Sequence, residues 1–155
     1  MLRRFLLLQA FLLWQGGFLF YAGVVVPIGT ELLGSPILQG QITQQVTHWL
    51  NGFGAVWAVL FAWDVAATRD PKRRRRVSRW LGWAGCVALL LGLLLLHQEM
   101  DAILTQYDEP VYATFRRFHI AYLWFSTFHW LITVVLAWQT LAAWRAEDES
   151  RRTIP

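Results

Sequence analysis

Apolar residues in this chain gather into four long runs, covering Phe5 to Val26, Gln45 to Ala67, Trp80 to Met100 and Phe118 to Trp144. Each is near or above the roughly 20 residues an α-helix needs to cross a hydrocarbon core. The pattern predicts an all-α fold, a four-helix integral membrane bundle forming one domain over residues 1–155. The first run follows Met1-Leu-Arg-Arg4, as a secretory signal would, but it exceeds the usual core of about 7–15 apolar residues and lacks a small-x-small cleavage site. It is expected to be the first spanning helix, ended by Pro27. Residues 28–44, with three glycines and Pro36, read as a loop with Leu32-Leu33 and Ile37-Leu38 on the membrane surface. A second loop is expected from Asp101 to Phe115 and a short charged tail from Arg145.

The polar interruption between the second and third runs, residues 68–79, sets the orientation. Its Arg69–Arg79 stretch holds seven basic residues and one acid. Pro71 and like-charge repulsion argue against a helix through it. Lysine and arginine are retained on the cytoplasmic side. With both termini and this loop inside, 12 of the 14 basic residues are cytoplasmic, and the outer side keeps only Arg116 and Arg117 beside five acids. The expectation is a multi-pass protein of the inner (cytoplasmic) membrane. The basic loop would contact anionic lipid headgroups, which explains its charge better than nucleic-acid binding does.

Within the runs, small residues mark candidate packing faces. In the first, Gln9, Gly16 and Gly23 recur every seven residues; in the second, Gly54, Ala58, Ala62 and Ala66 recur every four; in the third, Ala84, Ala88 and Gly92 do the same. Such strips suit helix–helix contact within the bundle, in a homo-oligomer or with a membrane-protein partner. In the fourth run His119, Tyr122, Ser126, His129, Thr133 and Thr140 fall within a sector of about 80°, a polar stripe expected to face the interior. Asp64, near the cytoplasmic end of the second run, reads as an interfacial acid close to water, with Arg69 or the basic loop as possible partners. Trp80 and Trp83 read as interface markers of the third.

Composition agrees: 56% hydrophobic and 15% charged residues are unlike an ordinary soluble domain. Cys86 is the only cysteine, which excludes a disulfide within the chain and a cysteine-based zinc site.

The candidate chemistry is histidine chemistry. His48, His97 and His119 come to the outer face in this topology; His97 lies about 27 Å of helix beyond Arg79, and His129 about 15 Å deeper than His119. Imidazoles from separate helices, with Glu99 and Asp101 nearby, suit copper or zinc, with His48, His97 and His119 as ligands. A pair drawn from His119, His129 and His48 suits the axial positions of haem b. Against both, histidines at span ends are common interfacial residues, no compact H-x-x-x-H motif is present, and His97 projects away from the small strip of its helix, toward the side of Cys86. His129, at mid-membrane depth, is either functional or hydrogen-bonded to Ser126 or Thr133. No nucleophile–base set, phosphate loop or carboxylate pair is evident, and enzymatic activity is not expected.

Two stretches carry a family resemblance. Gly16-Gly-Phe-Leu-Phe-Tyr-Ala-Gly-Val-Val-Val-Pro27 and Phe115-Arg-Arg-Phe-His119 are similar to the first helix and the entry to the last helix of the small membrane family called domain of unknown function 4149; Phe118 stands where that family usually has Leu. The resemblance implies a four-helix integral membrane protein, implies no reaction, and adds weight to Pro27 and His119. The readings that follow are a non-enzymatic accessory or transport-associated membrane protein, a haem- or metal-binding one, or a conduit for protons or small solutes along the fourth-helix stripe.

Overall fold

The computed structural model describes residues 1–104 and 109–152. Four helices, α1 (Leu2–Leu33), α2 (Pro36–Ala67), α3 (Arg73–Leu104) and α4 (Glu109–Arg152), run alternately up and down, with no strand among the described residues. All four are long and apolar enough to cross a membrane. At 1.5 Å per residue, the 32 residues of α2 or α3 span about 48 Å, more than the ~30 Å of a hydrocarbon core.

The helices are longer than the apolar runs because the breakers fall where a helix tolerates them. Pro27 does not end α1. It has no N–H to give the preceding turn, and its ring crowds the Gly23 carbonyl; there the helix widens into a π turn, Tyr21–Val25, and continues to Leu33. A second π turn covers Leu12–Gly16. The end comes at Gly34, whose φ of +56° is left-handed and suits glycine. Ser35 then caps α2, its side chain accepting the Leu38 N–H, and Pro36 occupies the first turn, where a missing N–H costs nothing. The loop expected over residues 28–44 is thus a two-residue connection.

No helix runs straight through the basic stretch, since α2 ends at Ala67, but the loop expected over residues 68–79 is shorter, because α3 begins inside it at Arg73. Like charges are dispersed rather than stacked: Arg75 and Arg79 turn inward to carboxylates, while Arg73, Arg74 and Arg76 are exposed. Asp70 holds the entry, accepting from Arg75 Nε at 2.6 Å, Arg75 Nη2 at 2.7 Å and the Lys72 N–H at 2.9 Å. Burial alone would raise the Asp70 carboxyl pKa. The hydrogen bonds from Arg75 and the Lys72 amide outweigh it and hold the carboxyl below the ordinary carboxylate range.

The core sits in the half of the bundle nearer this basic end. Leu7, Phe11, Trp57, Phe61, Cys86 and Leu136 form it, with Phe11 edge-on to Trp57 at 5.5 Å and Trp57 5.2 Å from Phe61. α1 contributes Leu7, Ala10, Phe11, Trp14 and Tyr21, a stripe at helical spacing. The face with Gln9, Gly16 and Gly23 is exposed, opposite to expectation. The large side chains on the other face offer far more van der Waals contact, and they decide which side packs.

The same rule corrects α3. Ala84 and Ala88 are exposed, while Cys86, Leu90 and Leu93 are buried. Gly92 still matters, because a Cβ there would lie 2.7 Å from the Phe125 ring of α4. On α2 the small strip packs for half its length: Gly54 and Ala58 are buried, Ala62 is half-buried and Ala66 is exposed. A Cβ at Gly54 would lie 2.8 Å from Trp14 Nε1, so this glycine lets the indole cross the α2 backbone. Trp83 is no simple interface marker either; its indole donates to the Ala58 carbonyl at 2.9 Å.

Candidate functional site

Two polar assemblies lie at opposite ends of the bundle. At the basic end, Asp64 is fully buried and contacts all three other helices. Arg79 Nη2 of α3 approaches its Oδ2 at 2.6 Å and Arg3 Nε of α1 its Oδ1 at 2.8 Å; the Trp144 indole of α4 donates to both oxygens at 3.0 and 3.1 Å. Thr68 donates to Oδ2 at 3.2 Å. Beside it, Glu147, 2% exposed, takes Arg4 Nη2 at 2.9 Å, and Arg4 also grips Asp148. Asp64 is therefore no water-facing interfacial acid. Its partner comes from the basic stretch but is Arg79; Arg69 instead offers its backbone N–H to Glu147. Formal charges nearly cancel, as a buried cluster requires. This assembly fastens four helix ends together.

The other end is open. A cavity of about 630 Å³ runs inward from the Gly34–Ser35 turn between all four helices, within the range of small-molecule sites. On α2 it meets Gln39, Thr43, Thr47 and Asn51, four polar residues at four-residue spacing and therefore on one helix face. α3 supplies Leu93, His97 and Asp101; α4 supplies Phe115, His119, Tyr122 and Ser126; α1 gives the apolar wall of Phe18, Ala22 and Val26, with Trp14 at the inner end. From Ser35 to Asn51 is about 24 Å of helix, so the cavity is elongated along the bundle.

Its polar groups are largely spent on one another. Tyr21 donates to Thr43 Oγ1 at 2.8 Å, Thr43 to the Gln39 carbonyl at 2.8 Å, Tyr122 to Asn51 Oδ1 at 3.2 Å, and Ser126 to the Tyr122 carbonyl at 2.8 Å. His97 Nε2 lies 3.5 Å from Asp101 Oδ2, and His119 stacks on Phe115 with ring centroids 6.0 Å apart. The exposed wall is therefore mostly carbon, with polar atoms at a few fixed points.

The predicted site residues divide. His97 and His119 line the cavity, from adjacent helices. His48 does not: it is exposed, because it lies about 100° around α2 from Thr47, which faces in. Among the described residues no three His, Cys, Asp or Glu side chains gather closely enough to hold a metal ion, so the set His48, His97 and His119 is not assembled. His129 lies beyond the inner end, fully buried behind Trp14, with ring centroids 4.4 Å apart and Trp57 at 6.0 Å. Neither of its ring nitrogens has a hydrogen-bond partner among the described residues. Ser126 and Thr133, its expected partners, donate to the Tyr122 and Trp130 carbonyls, and Thr133 accepts from Gln15 at 3.0 Å. The fourth-helix stripe does face inward: Ser126, His129, Thr133 and Thr140 are all buried.

The ladder Gln39, Thr43, Thr47, Asn51 is the feature the sequence reading missed. Its signal is the four-residue polar spacing, hidden because Pro36 and three glycines marked that segment as a loop. In comparisons with protein-family models, curated proteins and solved structures, the chain matches none.

Proposed function

We propose that the chain is a multi-pass membrane protein whose interhelical cavity holds an apolar small molecule without converting it, as an accessory or transport-associated protein would. The observation that carries this reading is the cavity itself: elongated, walled by all four helices and mostly carbon-faced. Placement in a membrane is supported by large apolar side chains exposed around the bundle, such as Leu13, Val59, Leu91 and Val135. The resemblance of Gly16–Pro27 and Phe115–His119 to the family of domain of unknown function 4149 points the same way, and Phe115 and His119 sit together on the cavity wall. Inner-membrane orientation with both termini and the basic end cytoplasmic is supported by the 12-to-2 division of basic residues. Arg73, Arg74 and Arg76 then face anionic headgroups, and the cavity opens toward the outer side.

Orientation is tested with single cysteines at the exposed positions Glu31 and Lys72 in a Cys86→Ala background. On intact cells an impermeant thiol reagent should label Glu31→Cys, and Lys72→Cys only after lysis. The reverse result overturns the orientation.

Holding is tested by native mass spectrometry of protein extracted in mild detergent. One apolar molecule per chain is expected, and protein that is empty and takes up no added lipophile contradicts the reading. A haem reading has one observation in its favour, His97 and His119 on one cavity. It requires a Soret band that His119→Ala shifts or abolishes.

A further inference from the structure

The inner end of the cavity is chemically distinct from its walls. Asn51 lines it at 5% exposure, with Oδ1 occupied by the Tyr122 hydroxyl at 3.2 Å. Its Nδ2, which carries two N–H donors, has no hydrogen-bond partner among the described residues. A buried donor left unmade is costly, and although the Ser126 hydroxyl donates to the Tyr122 carbonyl, no hydrogen bond joins it or any other described group to Asn51 Nδ2. A ligand acceptor placed there would complete the amide.

We propose that Asn51 Nδ2 anchors the cavity's ligand, and that the ligand is an uncharged, long-chain molecule inserted carbonyl first. This rests on the cavity being a binding site, and it adds which atom of the protein reads the ligand and what that atom demands. Its length, about 24 Å along α2 from Ser35 to Asn51, suits an extended chain. The donor selects a carbonyl or similar oxygen at the leading end. Charge is excluded because, among the described residues, no lysine or arginine lines the cavity, and the acid that does, Asp101, lies at the shallow end beside His97. A carboxylate driven down to Asn51 would find one neutral donor and no cation. Trp14, seated over Gly54, closes the passage beyond.

The experiment uses the full-length protein in lipid nanodiscs and four radiolabelled probes: a long-chain alkane, the fatty methyl ester and free fatty acid of the same chain, and a prenylated benzoquinone. The wild-type protein should hold the ester or the quinone about tenfold more tightly than the alkane. At alkaline pH the acid should bind more weakly than its ester. Whichever carbonyl probe binds tighter identifies the source, a lipid ester or a quinone. Asn51→Leu should bind the alkane as the wild type does and lose the preference. Asn51→Ala, which removes the amide without adding bulk, should also lose it and serves if the leucine variant does not fold. Equal binding of alkane, ester and quinone by the wild type, or a preference that survives both substitutions, overturns the assignment while leaving the cavity a binding site. Failure to bind any probe removes the binding site as well.

Discussion

Asp64→Leu should destabilise the protein by about 3–5 kcal/mol, the usual consequence of stripping one partner from a buried ion pair. Arg79 is fully buried, and its Nε and Nη1 have no other hydrogen-bond partner among the described residues, only the Phe61 ring 5.4 Å from the guanidinium carbon. Without Asp64 that charge keeps no hydrogen-bonded acceptor among the described residues, and only the more distant Asp70 opposes it. Trp144 loses its acceptor too, while Arg3, 18% exposed at its side chain, can turn to Glu147 at the basic end. The double variant Asp64→Leu with Arg79→Met should recover much of the loss, because it removes both desolvated charges together and fills similar volume. Thermal unfolding in detergent of the two single variants and the double one gives the coupling directly. A double variant as unstable as the sum of the singles would mean that the pair makes no mutual contribution, and that the fastening at this end comes from Arg4, Glu147 and Asp148 instead.

Trp14→Ala should cost a comparable 3–5 kcal/mol, the range for emptying a large aromatic site. The indole is 3% exposed, lies over Gly54, and stands between the cavity and His129. With the bundle in a membrane, as proposed, the loss comes from contacts and from the void, since lipid solvates a tryptophan well in the unfolded reference. The void also joins the cavity to the aromatic chamber holding His129, so the variant should accept longer or bulkier apolar ligands than the wild type. Trp14→Phe should restore most of the stability and close the passage. The check is thermal unfolding together with a chain-length series of bound alkanes. An alanine variant with unchanged stability and unchanged length selectivity would show that Trp14 neither supports the bundle nor ends the cavity.

Much of the architecture was legible because the apolar runs are long. Four stretches of such length and composition leave few alternatives to four helices, and the 100° spacing of the α4 stripe identified an inward face that the structure buries. The helix ends were not legible. Pro27, Pro36 and the arginine run are breakers in general, but a π turn, a first-turn position and dispersal of charge around the helix absorb them. One consequence was costly for the site. With residues 28–44 read as a loop, Gln39 and Thr43 had no helix to lie on, and the ladder they form with Thr47 and Asn51 did not show.

What the sequence determined by itself is the number of helices, their order and the asymmetry of charge between the two ends, since these depend on composition and period alone. Which face of each helix packs was decided by tertiary structure, because small-residue strips and aromatic stripes compete for the same interior and only assembled packing ranks them. Gly16, Gly23, Ala84 and Ala88 lost that competition to Trp14, Tyr21, Cys86 and Leu90. Tertiary structure also decided that Asp64 is a buried hub, that His97 and His119 share a wall while His48 turns away, and that Asn51 keeps a free donor. Each of these depends on which residues from four separate helices arrive at one depth and one azimuth, and no spacing along a single helix encodes that.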